Sequence, residues 1–75
     1  MSYEKKQLAM ANLALKFAEE GVRNTVRGVA ELMKDAEVSE VMDIVATVEL
    51  ALAVLEEARE NVERAKRYYE LHKGE

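Results

Sequence analysis

Few groups in this chain can do covalent chemistry. Its one histidine is His72, it has no cysteine, and its only serines are Ser2 and Ser39. A nucleophilic serine needs a base within hydrogen-bond reach, and neither serine has a histidine near it in sequence. Di-iron sites in helical bundles draw a Glu and a Glu-x-x-His from their helices. That spacing puts the partner of His72 at position 69, which is Tyr69. With one His and no Cys, a Cys-based or His-rich metal site cannot form within one chain. Glu56, Glu57, Glu60 and Glu63 make a carboxylate run, which a solvated helix face accounts for. Tyr3, Tyr68 and Tyr69 could act as acids or bases in principle. We therefore expect no enzyme, and no catalytic residue, metal, cofactor or small-molecule substrate.

The segment RAKRYYELHK mixes bases with aromatics, a combination that can hold nucleic acid through phosphate contacts and stacking. Helical spacing, however, puts Tyr69 and His72 on an apolar stripe and leaves only Tyr68 free. Arg59 and Lys66 flank that stripe and can lay their stems along it. The net charge is -4. Residues 1–16 carry +2, residues 17–58 carry -7 and residues 59–75 carry +1. An acidic centre argues against a nucleic-acid partner. A membrane-surface helix needs a basic polar face, and the outer face of the second half is acidic. The longest uncharged stretch, Gln7 to Leu15, is too short to span a bilayer, and no signal segment stands at the N-terminus. The expected location is cytoplasmic, or a virion or surface assembly. The chain is rich in charge, has no Pro, and has Gln7 as its only Gln. That balance leans toward a thermophilic source.

What could position any of these groups is a helix, because period-3.6 spacing runs through nearly everything. In the first half Leu8, Ala11, Leu15, Ala18, Val22, Thr25, Val29 and Leu32 step by three and four. In the second half Val41, Ile44, Val48, Ala51, Leu55, Ala58, Val62, Ala65, Tyr69 and His72 do the same. No period-2 segment competes. The two series are out of phase, and the break falls between residues 33 and 41. The spacing predicts helices over about 3–34 and 39–73, with Asp35 or Ser39 as N-cap of the second. Two other arrangements share the pattern: one unbroken helix with a stutter, or three helices broken at Gly21.

Large residues recur every seven positions, and small ones recur between them. Folding the chain about residue 38 sets Ala11 against Ala65, Ala18 against Ala58 and Thr25 against Ala51. Small facing residues allow close helix approach. The same fold sets Glu19 beside Arg59, Val26 on Leu52 and Met33 on Val45. Gly21 and Gly28 each cost a helix about 1 kcal/mol relative to Ala. They fall in line with Ala14, opposite Asn61, Val54 and Thr47, and are expected to clear space for Val54 or for a side chain of another subunit.

One seam does not use up the apolar residues. Met10, Leu13, Ala14 and Phe17 form a second stripe near the open end, and Met42, Ala46, Leu50 and Ala53 form another near the turn. Exposed stripes of this size mark an interface. A chain of 75 residues without disulfide or metal also has little else to stabilise it. Acids (Asp35, Glu37, Glu40, Asp43) gather at the turn, and bases (Lys5, Lys6, Arg64, Lys66, Arg67, Lys73) gather at the open end. Two hairpins packed head to tail would match stripe with stripe and acid with base about a two-fold axis.

The expectation is thus a single-domain, all-α antiparallel hairpin assembling into an antiparallel four-helix bundle or larger helical oligomer. Its partner is itself, as homodimer or higher oligomer, with another helical protein as the further option. Its function is association, as adaptor, scaffold or small regulatory bundle. The alternatives are a structural subunit of a filament, virion or shell, a small nucleic-acid-binding dimer using residues 59–73, and an engineered bundle. Gly21, Asn24, Thr25 and Gly28 inside one helix argue against idealised design.

Overall fold

The computed structural model describes residues 2–72, and two α-helices account for nearly all of them: α1, Tyr3–Met33, and α2, Val38–His72. Lys73 lies outside the described residues. Ser2 caps α1, its hydroxyl accepting from the Lys5 N–H at 3.2 Å and its carbonyl from the Lys6 N–H at 3.0 Å. Glu4 in the first turn complements the positive end of the helix dipole. From there α1 runs 31 residues without a break, so the arrangement with three helices does not occur.

The chain reverses over residues 34–37, which removes the unbroken helix as well. The last turn of α1 tightens as the Lys34 and Asp35 N–H groups donate to Glu31 and Leu32 carbonyls, both at 3.4 Å. No described residue has positive φ, so the reversal uses ordinary backbone conformations and needs no glycine. Because α2 begins at Val38, neither Asp35 nor Ser39 takes the cap position. Glu37 precedes the helix, and its carbonyl accepts from the Glu40 N–H at 2.9 Å. Asp35 comes too early and Ser39 is already in the first turn.

The hairpin is a single layer, 58 × 16 × 11 Å. Its radius of gyration is 17.1 Å, against about 11 Å for a compact domain of this length. One line of contact joins α1 and α2. Along it Leu8, Ala11, Leu15, Ala18, Val22, Thr25 and Val29 of α1 are half-buried, as are Val41, Val48, Ala51, Ala65, Tyr69 and His72 of α2. Among the described residues only Ile44, Leu55, Ala58 and Val62 are buried, all on α2; α1 buries none of its residues.

Leu32, expected on the seam, is 62% exposed. It stands three heptads after Ala11, and a drift of about 20° per heptad turns it some 60° off that line. The half-buried Ala36 of the turn closes the seam's end beyond it.

Ala58 is 8% exposed and lies on the line of contact between the helices. Ala58→Leu is expected to destabilise by about 1–3 kcal/mol through overpacking, read as a lower melting temperature; an unchanged one would refute the small-residue seam. Inserting two glycines after Glu37 is expected to leave helicity nearly intact, because loop-closure entropy grows slowly with length. Circular dichroism of the insertion variant checks this.

Candidate interaction surface

A straight helix touching one neighbour hides one stripe and leaves the rest to solvent. On one broad face of the hairpin the flanks of α1 and α2 form an open groove of about 730 Å³. Ala14, Phe17 and Gly21 line it from α1, and Thr47, Leu50, Val54 and Asn61 from α2. A second groove of about 550 Å³ continues toward the open end between Tyr3, Gln7 and Met10 on α1 and Arg64 and Tyr68 on α2. Ala14 and Asn61 belong to both, so the two form one continuous face.

The eight residues of the two expected stripes are all exposed, but the fold divides them. Met10, Ala14, Phe17 and Leu50 line the groove face. Leu13, Met42, Ala46 and Ala53 do not. Leu13 lies about 40° further round α1 than Phe17, and Ala46 about 40° further round α2 than Leu50. Phe17 and Leu50 were expected at opposite ends of the hairpin. They line one groove instead, because the antiparallel fold brings both near its middle. Phe17 is 69% exposed and Leu50 66%. The sequence stripes omit Tyr3, Val54 and Tyr68, whose signal is their place in line with Met10, Thr47 and Asn61 at helical spacing.

The glycines also differ from expectation. A Cβ built on Gly21 or Gly28 meets nothing within 4 Å, so neither clears space for Val54. Gly21 lies open in the groove wall. The Thr25 hydroxyl donates to the Gly21 carbonyl at 2.8 Å, and that of Thr47 to the Asp43 carbonyl at 3.0 Å. Both hydroxyls are therefore satisfied within their own helix, and burying them would leave no donor stranded.

Polar contacts on the surface are local. Arg64 donates to the Asn61 side chain on the groove face. Lys34–Glu31 at 3.3 Å and Lys66–Glu63 at 3.9 Å join residues three apart, and no ion pair links Glu19 to Arg59. Val26, Leu52, Met33 and Val45, on the opposite face, remain about half exposed. The Tyr68 ring lies tilted against His72, centroids 4.4 Å apart, and Tyr69 is half-buried on the seam. Among the described residues no three of His, Cys, Asp and Glu are grouped to hold a metal ion, and no helix is long and apolar enough to cross a membrane.

The fold and this surface define a class, the two-helix antiparallel hairpin with one apolar face uncovered. Compared with models of protein families, with curated proteins and with solved structures, the chain shows no match.

Because the space over Gly21 and Gly28 is open in the single chain, alanine at both should favour the isolated helix by about 1 kcal/mol per position. At dilutions where the protein is a single chain, Gly21→Ala with Gly28→Ala is expected to raise helix content by circular dichroism. A fall would mean that the hairpin itself needs the glycines.

Proposed function

We propose that this chain is a non-enzymatic helical-bundle protein that acts by associating with itself, as an adaptor, scaffold or small regulatory bundle, with four helices as its smallest closed form. The observation that carries this reading is the poverty of the single-chain core. A compact protein of 8.5 kDa exposes roughly 4,700 Å², and this hairpin exposes 6081 Å². The excess is more than the ~800 Å² that each partner hides in a standard interface. The groove face, with Phe17 and Leu50 among its lining, offers apolar area for such an interface to hide.

An extended assembly such as a filament or shell uses the same surface and differs only in whether the contact closes. The basic segment 59–73 is a weak nucleic-acid site by comparison, since Tyr69 and His72 are half-buried and Tyr68 packs on His72.

Folding linked to association makes the melting temperature rise with protein concentration. Burying one Phe or Leu side chain contributes about 1.5–3 kcal/mol, and a two-fold contact counts each twice. Phe17→Glu is accordingly expected to lower helicity at micromolar concentration and to shift sedimentation toward a single chain. A Phe17→Glu protein that stays helical, sediments as wild type and melts independently of concentration would overturn the proposal. Electron microscopy of concentrated wild type separates closed bundle from filament.

A further inference from the structure

Resting on the self-association proposed above, we propose that the occupant of the groove face is α1 of a second copy, antiparallel to the first, with Phe17 of each seated over Gly21 and Gly28 of the other.

The outer face of α1 carries a hole. In helix packing a knob enters the space between residues i, i+3, i+4 and i+7 of the facing helix. On α1, Gly21, Asn24, Thr25 and Gly28 stand at that spacing. Two of the four have no side chain, and an added Cβ on either would meet nothing. Thr25, the third, has its hydroxyl bonded to Gly21. This is an unusually wide hole, unfilled in the single chain, on a helix that bears each glycine at a cost in stability.

The knob sits one turn away. Phe17 lies on the same face and is among the most exposed apolar residues of the chain. A two-fold axis beside Gly21 and perpendicular to α1 pairs residues whose numbers sum to about 42, since both helices rise 1.5 Å per residue. Phe17 then stands level with the partner's Thr25, inside the hole. Ala14 meets the partner's Gly28. Met10 meets the partner's Leu32, the residue that drift turned out of the seam. One axis thus covers the exposed apolar residues and both glycines of this face of α1.

Charge selects the head-to-tail sense. Asp43 is seven residues before Leu50, on its side of α2 near the acidic turn. Arg64 lies on the same face near the open end, held there by Asn61. The same axis, extended across the groove to α2, pairs residues whose numbers sum to about 110, which sets each Asp43 within about one turn of the partner's Arg64 and each Thr47 within about one turn of the partner's Asn61. Turn-to-turn stacking would instead collect Asp35, Glu37, Glu40 and Asp43 from both copies, which like-charge repulsion opposes.

The chain has no cysteine, so single-cysteine variants report the contact cleanly. Under mild oxidation Gly21→Cys, which lies beside the axis, is expected to form covalent dimers, and Glu60→Cys, off the groove face, is not. Gly28→Leu fills the hole and is expected to weaken association roughly tenfold or more by sedimentation while the diluted chain keeps or gains helix. Asp43→Arg and Arg64→Asp should each associate poorly alone and recover when mixed. If wild type sediments as a dimer but Gly21→Cys does not cross-link and Gly28→Leu associates normally, this packing is overturned and self-association stands. If wild type sediments as a single chain at every concentration, both fall.

Discussion

The single line of contact between α1 and α2 is the constraint on which the rest of the structure depends. Ala11, Ala18, Ala51, Ala58 and Ala65, with Thr25, leave little side-chain volume between the helices, and Leu15, Val22, Leu55 and Val62 fill what remains. Packing of this kind is sensitive to single methylenes, because dispersion falls off within an ångström of contact. Its other consequence is geometric. Each helix has one neighbour, so each turns a large share of its circumference outward. The exposure of Phe17 and Leu50 follows from that, since both stand on flanks that the other helix does not cover.

A hairpin has one interface and no inside. Among the described residues four are buried, a small core for a chain that must offset about 1–2 kcal/mol of backbone entropy per ordered residue. The capped start of α1 and the Lys34–Glu31 pair at its end stabilise helices rather than their packing, and exposed pairs contribute little. Adding a second layer of helices is the economical remedy, since it covers apolar surface already present and demands no further ordering of the backbone. The glycines fit this view. Gly21 and Gly28 weaken α1 in isolation and relieve nothing within the hairpin; the proposed packing gives them a use as room for a partner's side chain.

Polarity along the hairpin would give the proposed assembly a direction. The reversal at residues 34–37 needs no glycine or proline, and acids cluster there, where Glu40 meets the positive end of the α2 dipole. In the proposed packing the same acids would make the turn end repel its copy and attract the basic open end. Local helix electrostatics and the sense of association thus draw on one set of side chains.

Much of this fold is written in local spacing. Steps of three and four, a phase break between Met33 and Val41 and the absence of proline determine two helices and which side of each meets the other, because periodicity is a property of the chain alone. Asp35 and Ser39 show the limit at the boundaries: both are good caps by type, but where a helix starts depends on how the reversal packs, and it starts at Val38. Leu32 shows it at the seam, since the sequence repeats by sevens while a helix turns by 3.6, and only three dimensions reveal where the drift carries a side chain off the contact. The groove is the clearest case. Phe17 and Leu50 are 33 positions apart, and Gly21 carries no signal beyond its cost. Only the antiparallel fold places them along one open face.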